Sequence, residues 1–215
     1  LLKFFVNDSP GDPGEDTIAV VRGLARTLRR SNYEVKPVLR QLLRSRFFFA
    51  PENRASVVKS PTQLIVQTIR TYNAPPRDLD TLLGAASLMG QDLLQPPSVK
   101  GWDGGRSWIN TSTLFVRQNL LIYLLTGRRP KGFSWKENSE VFDAMPLVAH
   151  LRKDGVLDPN EVGEYLLRFS LGESPHPSRG KLIRSYFQSV GSRVDNDRLL
   201  GCLALITAMP EYQLC

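Results

Sequence analysis

Apolar side chains recur at steps of three and four residues along most of the chain, a spacing that lines them up on one face of an α-helix. The pattern pauses at Ser31-Asn32 and then resumes, which predicts two antiparallel amphipathic helices in the first part of the chain. Their apolar positions are Ile18, Val21, Ala25 and Leu28, then Val35, Val38, Leu39, Leu42 and Leu43. Strand-like alternation of apolar and polar residues is missing from the sequence. The pattern therefore predicts an all-α protein, an irregular bundle of about nine helices.

Capping sequences mark where two further helices begin. Ser60-Pro61 and Asp158-Pro159 each combine a side chain that accepts an orphan backbone amide with a proline that has no amide to satisfy. Another helix is expected from about Pro76 to Met89, with Gly90 placed to end it. Its inward side chains are predicted to be Leu79, Leu82, Leu83 and Ala86.

The predicted helix over residues 111–126 is apolar on nearly every side and is closed by Gly127. A helix of this kind belongs in the centre of a bundle. Arg117 and Asn119 lie within it, and buried polar side chains need hydrogen-bond partners. We therefore expect both to find partners inside the bundle or to reach the loop that precedes the helix, and both are candidate site residues.

A basic segment rich in proline and glycine follows this helix and predicts a boundary between two abutting subdomains. Residues 1–130 form the first helical subdomain, 131–138 the linker and 139–215 the C-terminal helical subdomain. The chain opens without Met and without the apolar core of a signal peptide, so we expect the full protein to extend upstream. The longest apolar run, 120–125, is far shorter than the roughly eighteen residues of a membrane span.

Composition and charge narrow the function classes only slightly. The chain is 41% hydrophobic and 23% charged, which is typical of a globular protein, and its net charge of +7 is compatible with an anionic partner. Cys202 and Cys215 imply no disulfide framework, and their redox state stays open. His150 and His176 lack further ligands at metal-binding spacing, and no nucleophile or phosphate-loop motif occurs. The residues single out no catalytic group, metal site or cofactor.

The loop at 95–110 is the best candidate binding segment, because it combines two tryptophans with charged side chains and glycines. Such a mixture suits stacking on a flat ligand, a sugar or an anionic group, while hydrogen-bonding its rim. Alternatively, the two indoles pack into the end of the bundle and close it, or the loop binds another subunit or an upstream domain. The ligand-binding candidates are Lys100, Trp102, Asp103, Arg106, Trp108, Asn110, Arg117 and Asn119.

The first two predicted helices each place cations along one face, a pattern that can present positive charge to polyanions. The solvated side of a helix has the same pattern, and aromatic residues are not interleaved as in single-strand binders. Nucleic acid is therefore not the favoured partner. The polyanion-binding candidates are Arg22, Arg26, Arg29, Arg30, Lys36, Arg40 and Arg44.

Five short segments together resemble the C-terminal part of a bacterial family known as domain of unknown function 1800, and the rest of the chain is similar in style to planctomycete members of that family. The most specific is the Lys-Gly-Trp loop. The segments are Leu2-Lys3-Phe4-Phe5-Val6-Asn7, Val38-Leu39-Arg40-Gln41-Leu42-Leu43-Arg44-Ser45, Val58-Lys59-Ser60-Pro61, Pro96-Pro97-Ser98-Val99-Lys100-Gly101-Trp102 and Trp108-Ile109-Asn110-Thr111-Ser112-Thr113-Leu114. The likeness covers about the first 130 residues well.

The resemblance implies a long, mostly helical exported protein, located in the periplasm or cell envelope and encoded beside another exported protein. It carries over no catalytic residue. We therefore expect a C-terminal helical region that acts in binding or assembly, with the upstream part and the co-encoded protein as partners. The alternative is part of an envelope enzyme whose glycan or polymer pocket is walled by the Trp102 loop.

Overall fold

A computed structural model describes residues 1–7, 14–138, 140–153, 155–172, 176–191 and 193–215. The regular structure in these ranges is helical, with isolated bridges and no strand, which confirms the predicted all-α class. The α-helices of the described ranges are α1 Leu2–Phe5, α2 Glu15–Arg30, α3 Val35–Leu43, α4 Pro61–Tyr72, α5 Leu79–Leu88, α6 Thr111–Thr126, α7 Met145–Val148, α8 Pro159–Leu171, α9 Pro177–Val190 and α10 Asn196–Thr207.

The described chain divides into two compact units. The first comprises Leu1–Val58 with Leu214–Cys215, and the second comprises Lys59–Gln213. The predicted linker 131–138 lies inside the second unit, where Trp135 is buried. The subdomain boundary proposed from its composition stays a prediction.

In the first unit, α2 and α3 pack as the expected helical hairpin around a small core. That core consists of Val6, Leu24, Val38 and Leu42. Thr27 donates a hydrogen bond to Gln41 across the hairpin at 2.5 Å, which links the two helices. Leu24 is the buried residue of α2, whereas Ile18 and Val21 remain more than a third exposed because the hairpin covers α2 from one side only.

In the second unit, α6 lies at the centre, as its apolar sequence predicts. It buries more than half of its circumference, whereas one side with Phe115 and Ile122 is exposed, and it packs against α4, α5 and α10. Helices α8, α9 and α10 pack against one another and complete the same core. Within the described residues, every helix is too short or too polar to span a bilayer.

The two helix starts predicted from capping sequences are confirmed. Ser60 forms a capping box with Gln63 at the start of α4, and Asp158 accepts the amide of Glu161 at the start of α8. Helix α5 differs from its prediction: it begins at Leu79, because the Asp78 carboxylate accepts the amide of Thr81.

The predicted inward face of α5 is half wrong. Leu82 and Ala86 are buried, but Leu79 is 67% exposed and Leu83 38% exposed. Thr81 and Ala85 are buried instead. The helix lies on the surface of its unit, so only the narrow stripe that faces α4 and α6 is covered.

Candidate functional site

The tryptophan loop is shaped by glycines in left-handed backbone conformations. Gly101, Gly104 and Gly105 have positive φ, and a turn of 3₁₀ helix from Gly105 to Trp108 leads towards α6. Trp108 is 6% exposed, and its carbonyl accepts a hydrogen bond from the Thr113 hydroxyl at 2.9 Å. The Trp108 indole is thus part of the fold at the start of α6.

The rest of the loop faces solvent to a greater extent. Trp102 is half-buried, and Arg106 is exposed. The Lys100 ammonium lies 3.8 Å from the Asp103 carboxylate, with both side chains more than 80% exposed. Asn110 caps α6 by accepting the amide of Thr113 at 2.9 Å. The loop therefore presents a partly exposed indole beside three exposed charged groups.

The two polar residues inside α6 find partners elsewhere. Arg117 is fully buried, and its guanidinium donates to the Gln213 side-chain oxygen at 3.1 Å and to the Lys59 carbonyl at 2.7 Å. Burial lowers the pKa of Arg117 to about 10, because the charged form loses water. Asn119 donates to the Phe115 carbonyl one turn back at 2.8 Å. None of these three hydrogen bonds reaches the loop at 95–110.

The cationic candidates of the first unit are all exposed, and none of the seven forms an ion pair within the described ranges. Arg22, Arg26 and Arg29 lie opposite the buried Leu24 on α2. Together with Ala19 and Ala25 they line a shallow cavity of about 510 Å³. Three long guanidinium side chains and two small alanines thus line a positively charged concave surface.

Comparison with known proteins identifies the family. The model of the family described as "Protein of unknown function (DUF1800)" matches residues 1–214. The chain belongs to this family. The match runs through both compact units, well beyond the roughly 130 residues that carry the resemblance in the sequence. A search of curated proteins and a search of solved structures gave no match for the chain.

The described part of this DUF1800 chain also holds buried cations that the sequence did not indicate. Lys59 is 1% exposed, and its ammonium donates to the Tyr212 carbonyl at 2.6 Å and lies 4.4 Å from the centre of that ring. Arg77 is 5% exposed and donates to the Leu124 carbonyl near the end of α6 at 2.7 Å. Both cations bind backbone carbonyls, so their first role is to hold the fold.

A pair of buried phenols lies close to Lys59 in the same unit. The Tyr212 hydroxyl is 2.9 Å from that of Thr68, and the Tyr72 hydroxyl donates to Ser170 at the same distance. The two tyrosine rings stack. Burial raises the pKa of both phenols, because the phenolate would lose its water. They remain protonated and act as hydrogen-bonding groups of the core.

The histidines serve local structure in the DUF1800 fold. His150 packs its ring edge-on against Tyr165, and the His176 ring nitrogen accepts the amide of Ser178 at the start of α9. The described ranges contain no group of three His, Cys, Asp or Glu side chains placed to hold a metal ion. The Cys202 thiol is buried in α10, and Cys215 is exposed.

Proposed function

We propose that this chain is a binding region of a longer exported protein and that the outer surface of its α2–α3 hairpin binds an anionic polymer. The observation that carries the proposal is the set of seven exposed cations on the hairpin, none of them paired with an acid in the described ranges. Unpaired surface cations attract phosphate, sulfate or carboxylate groups and release their counterions.

The shape of α2 supports recognition through arginine in particular. Arg22, Arg26 and Arg29 line a concave surface of about 510 Å³ together with the small side chains of Ala19 and Ala25. A guanidinium presents a planar fork of donors that matches an oxyanion, and its charge persists at any physiological pH. Several anionic groups of one polymer can therefore engage neighbouring arginines at once.

The stiffness of the hairpin adds to this support. The Thr27–Gln41 hydrogen bond and the core around Leu24 hold α2 against α3, so the cations are displayed on a rigid scaffold. Preorganised groups lose less entropy on binding than groups of a mobile tail. Aromatic side chains do not alternate with the arginines, so we expect charge-driven binding without base stacking.

Binding to heparin and to duplex DNA, measured by fluorescence anisotropy, tests the proposal. The variant with Arg22, Arg26 and Arg29 changed to Gln is expected to bind both polymers at least about tenfold more weakly at low salt. The matched control changes Arg128, Arg129 and Lys131 to Gln, which removes the same charge from exposed positions of the second unit. Equal losses in the two variants would contradict a dedicated surface on α2.

A second candidate function is ligand binding at the tryptophan loop, as part of an envelope enzyme. It is favoured by the partly exposed Trp102 indole beside the exposed charges of Lys100, Asp103 and Arg106. An indole face with charged groups at its rim suits a sugar unit. Trp102→Ala should then abolish binding to a glycan panel without changing the melting temperature. A lower melting temperature with unchanged glycan binding would instead favour the alternative in which the indoles fill the end of the helical bundle.

A further inference from the structure

A groove in the second unit lies between the exposed face of α5 and residues 132–136. Its volume is about 590 Å³, within the range of small-ligand sites in proteins. Helix α5 contributes Asp80, Gly84 and Leu88 at helical spacing, and the segment contributes Phe133 and Ser134. This groove shares no lining residue with the tryptophan loop or with the α2 surface.

Gly84 is the least expected residue of the groove, because it lies inside a helix. An interior glycine weakens a helix by about 1 kcal/mol relative to alanine. In α8, packing explains such a residue: a Cβ on Gly163 would lie 2.6 Å from the Ile183 side chain. Among the described residues, a Cβ on Gly84 would meet nothing within 4 Å. Packing does not require this glycine, and a side chain there would project into the groove.

The floor of the groove is apolar and fixed. The Phe133 ring is held by Trp135, with ring centres 4.3 Å apart, and by Phe115 at 5.8 Å. Trp135 is 5% exposed and anchors this stack in the core of the unit. Leu88, which is 56% exposed, adds aliphatic surface to the lining. A ligand with one apolar face can therefore displace water from a rigid surface.

Some polar side chains at the rim of the groove already bind other side chains or backbone amides, and others are exposed and can bind a ligand. Asp78 accepts the amide and the hydroxyl of Thr81 at 3.1 and 3.0 Å, and the Lys136 ammonium lies 3.5 Å from its other oxygen. The side chains of Asp80, Ser87 and Ser134 are exposed and form no hydrogen bond within the described residues. One carboxylate and two hydroxyls therefore remain to bind a ligand that both donates and accepts.

We propose that this groove binds a neutral polyhydroxylated ring, such as a pyranose unit of an oligosaccharide. A pyranose has apolar C–H faces for Phe133 and Leu88 and hydroxyls that match the mixed donors and acceptors of the rim. The lining carries two carboxylates and one ammonium, so its net charge of −1 disfavours anions. A cation would find Asp80 alone, since Lys136 neutralises Asp78, and a single exposed ion pair adds little affinity.

Oligosaccharide binding to the whole chain tests this inference. The probes are maltotetraose, cellotetraose and chitotetraose, followed by saturation-transfer NMR and calorimetry. We expect at least one to bind, and Gly84→Leu to weaken that binding by at least about tenfold because the leucine fills the groove. The same variant should raise the melting temperature, since leucine favours the helix and the space for it is open.

Two control variants make the result specific. Gly180→Leu places the same side chain on α9, where among the described residues a Cβ would meet only the flexible end of Arg184 at 3.6 Å. This variant should leave binding unchanged. Trp102→Ala separates this groove from the tryptophan loop, because loss of the same binding in that variant would place the sugar at the loop and overturn the inference. The inference is overturned if none of the three sugars binds, if Gly84→Leu binds as the parent does, or if lysine methyl ester binds and displaces the sugar.

Discussion

Helices α2 and α6 are both sixteen residues long, yet they use arginine in opposite ways. In α2, Leu24 faces the core, and the arginines on the opposite side lie in solvent without ion pairs in the described ranges. In α6, Arg117 is fully buried and donates to a backbone carbonyl and a side-chain amide oxygen. An arginine on the polar side of an amphipathic helix therefore stays in solvent, whereas an arginine in a nearly all-apolar helix needs buried hydrogen-bond acceptors.

The largest expected effect concerns the indoles that precede α6. Trp108→Ala should lower the free energy of unfolding by about 3–5 kcal/mol, because it opens a cavity in a buried site. Trp102→Ala should cost clearly less, since that indole is half-buried. Urea unfolding of the two variants measures the difference. Equal losses would show that the two indoles are equally structural.

The next largest effect is the difference in unfolding free energy between replacing a buried arginine and replacing an exposed one. Arg117→Ala should lower the free energy of unfolding by about 3 kcal/mol, because it leaves a cavity and two buried acceptors without a donor. Arg26→Ala, on the exposed side of α2, should change it by less than about 0.5 kcal/mol. Denaturant titrations of both variants at neutral pH compare them. A similar loss of unfolding free energy in both variants would contradict the distinction between exposed arginine in α2 and buried arginine in α6.

A smaller effect on the unfolding free energy is expected at alkaline pH. It comes from a buried thiol in α10, a helix that packs against α6. Burial raises the pKa of the Cys202 thiol to about 12, so the unfolded chain releases this proton at lower pH than the folded chain does. Stability from this thiol is complete below about pH 9 and falls as the pH rises towards 12, by about 1.4 kcal/mol per pH unit.

The variant Cys202→Ala isolates this contribution. Between pH 8 and pH 10.5 the parent should lose about 2 kcal/mol more of its unfolding free energy than the variant does. The buried phenols of Tyr72 and Tyr212 titrate in both proteins, so their contribution cancels. Unfolding at the two pH values provides the measurement, and parallel losses in parent and variant would refute the buried-thiol explanation.

Local signals in the sequence were sufficient for much of the fold. Capping residues gave the starts of α4 and α8, and the uniformly apolar segment 111–126 gave the central helix with its end at Gly127. These features depend on neighbours a few residues away, which a single sequence contains. The face of α5 was partly mispredicted, because Leu79 and Leu83 follow helical spacing but lie where no other helix of the described ranges covers them.

The candidate sites depended more on long-range contacts. Nothing near Lys59 or Arg77 in the sequence indicates burial, since each binds the carbonyl of a residue more than forty positions away. The groove beside α5 likewise joins Gly84 to Phe133, and Trp135, which lies in the predicted linker, anchors it. The basic stripe on α2 could be read from spacing alone, because all its members belong to one helix.

The central claim, that the arginines of α2 form a polyanion surface, is tested most directly by the salt dependence of binding. Affinity for a labelled DNA duplex is measured by anisotropy from about 50 to 200 mM salt. Changing Arg22, Arg26 and Arg29 to Gln should reduce the slope of log affinity against log salt by about 3, about 1 for each cation removed. A slope in this variant equal to that of the parent would contradict the claim.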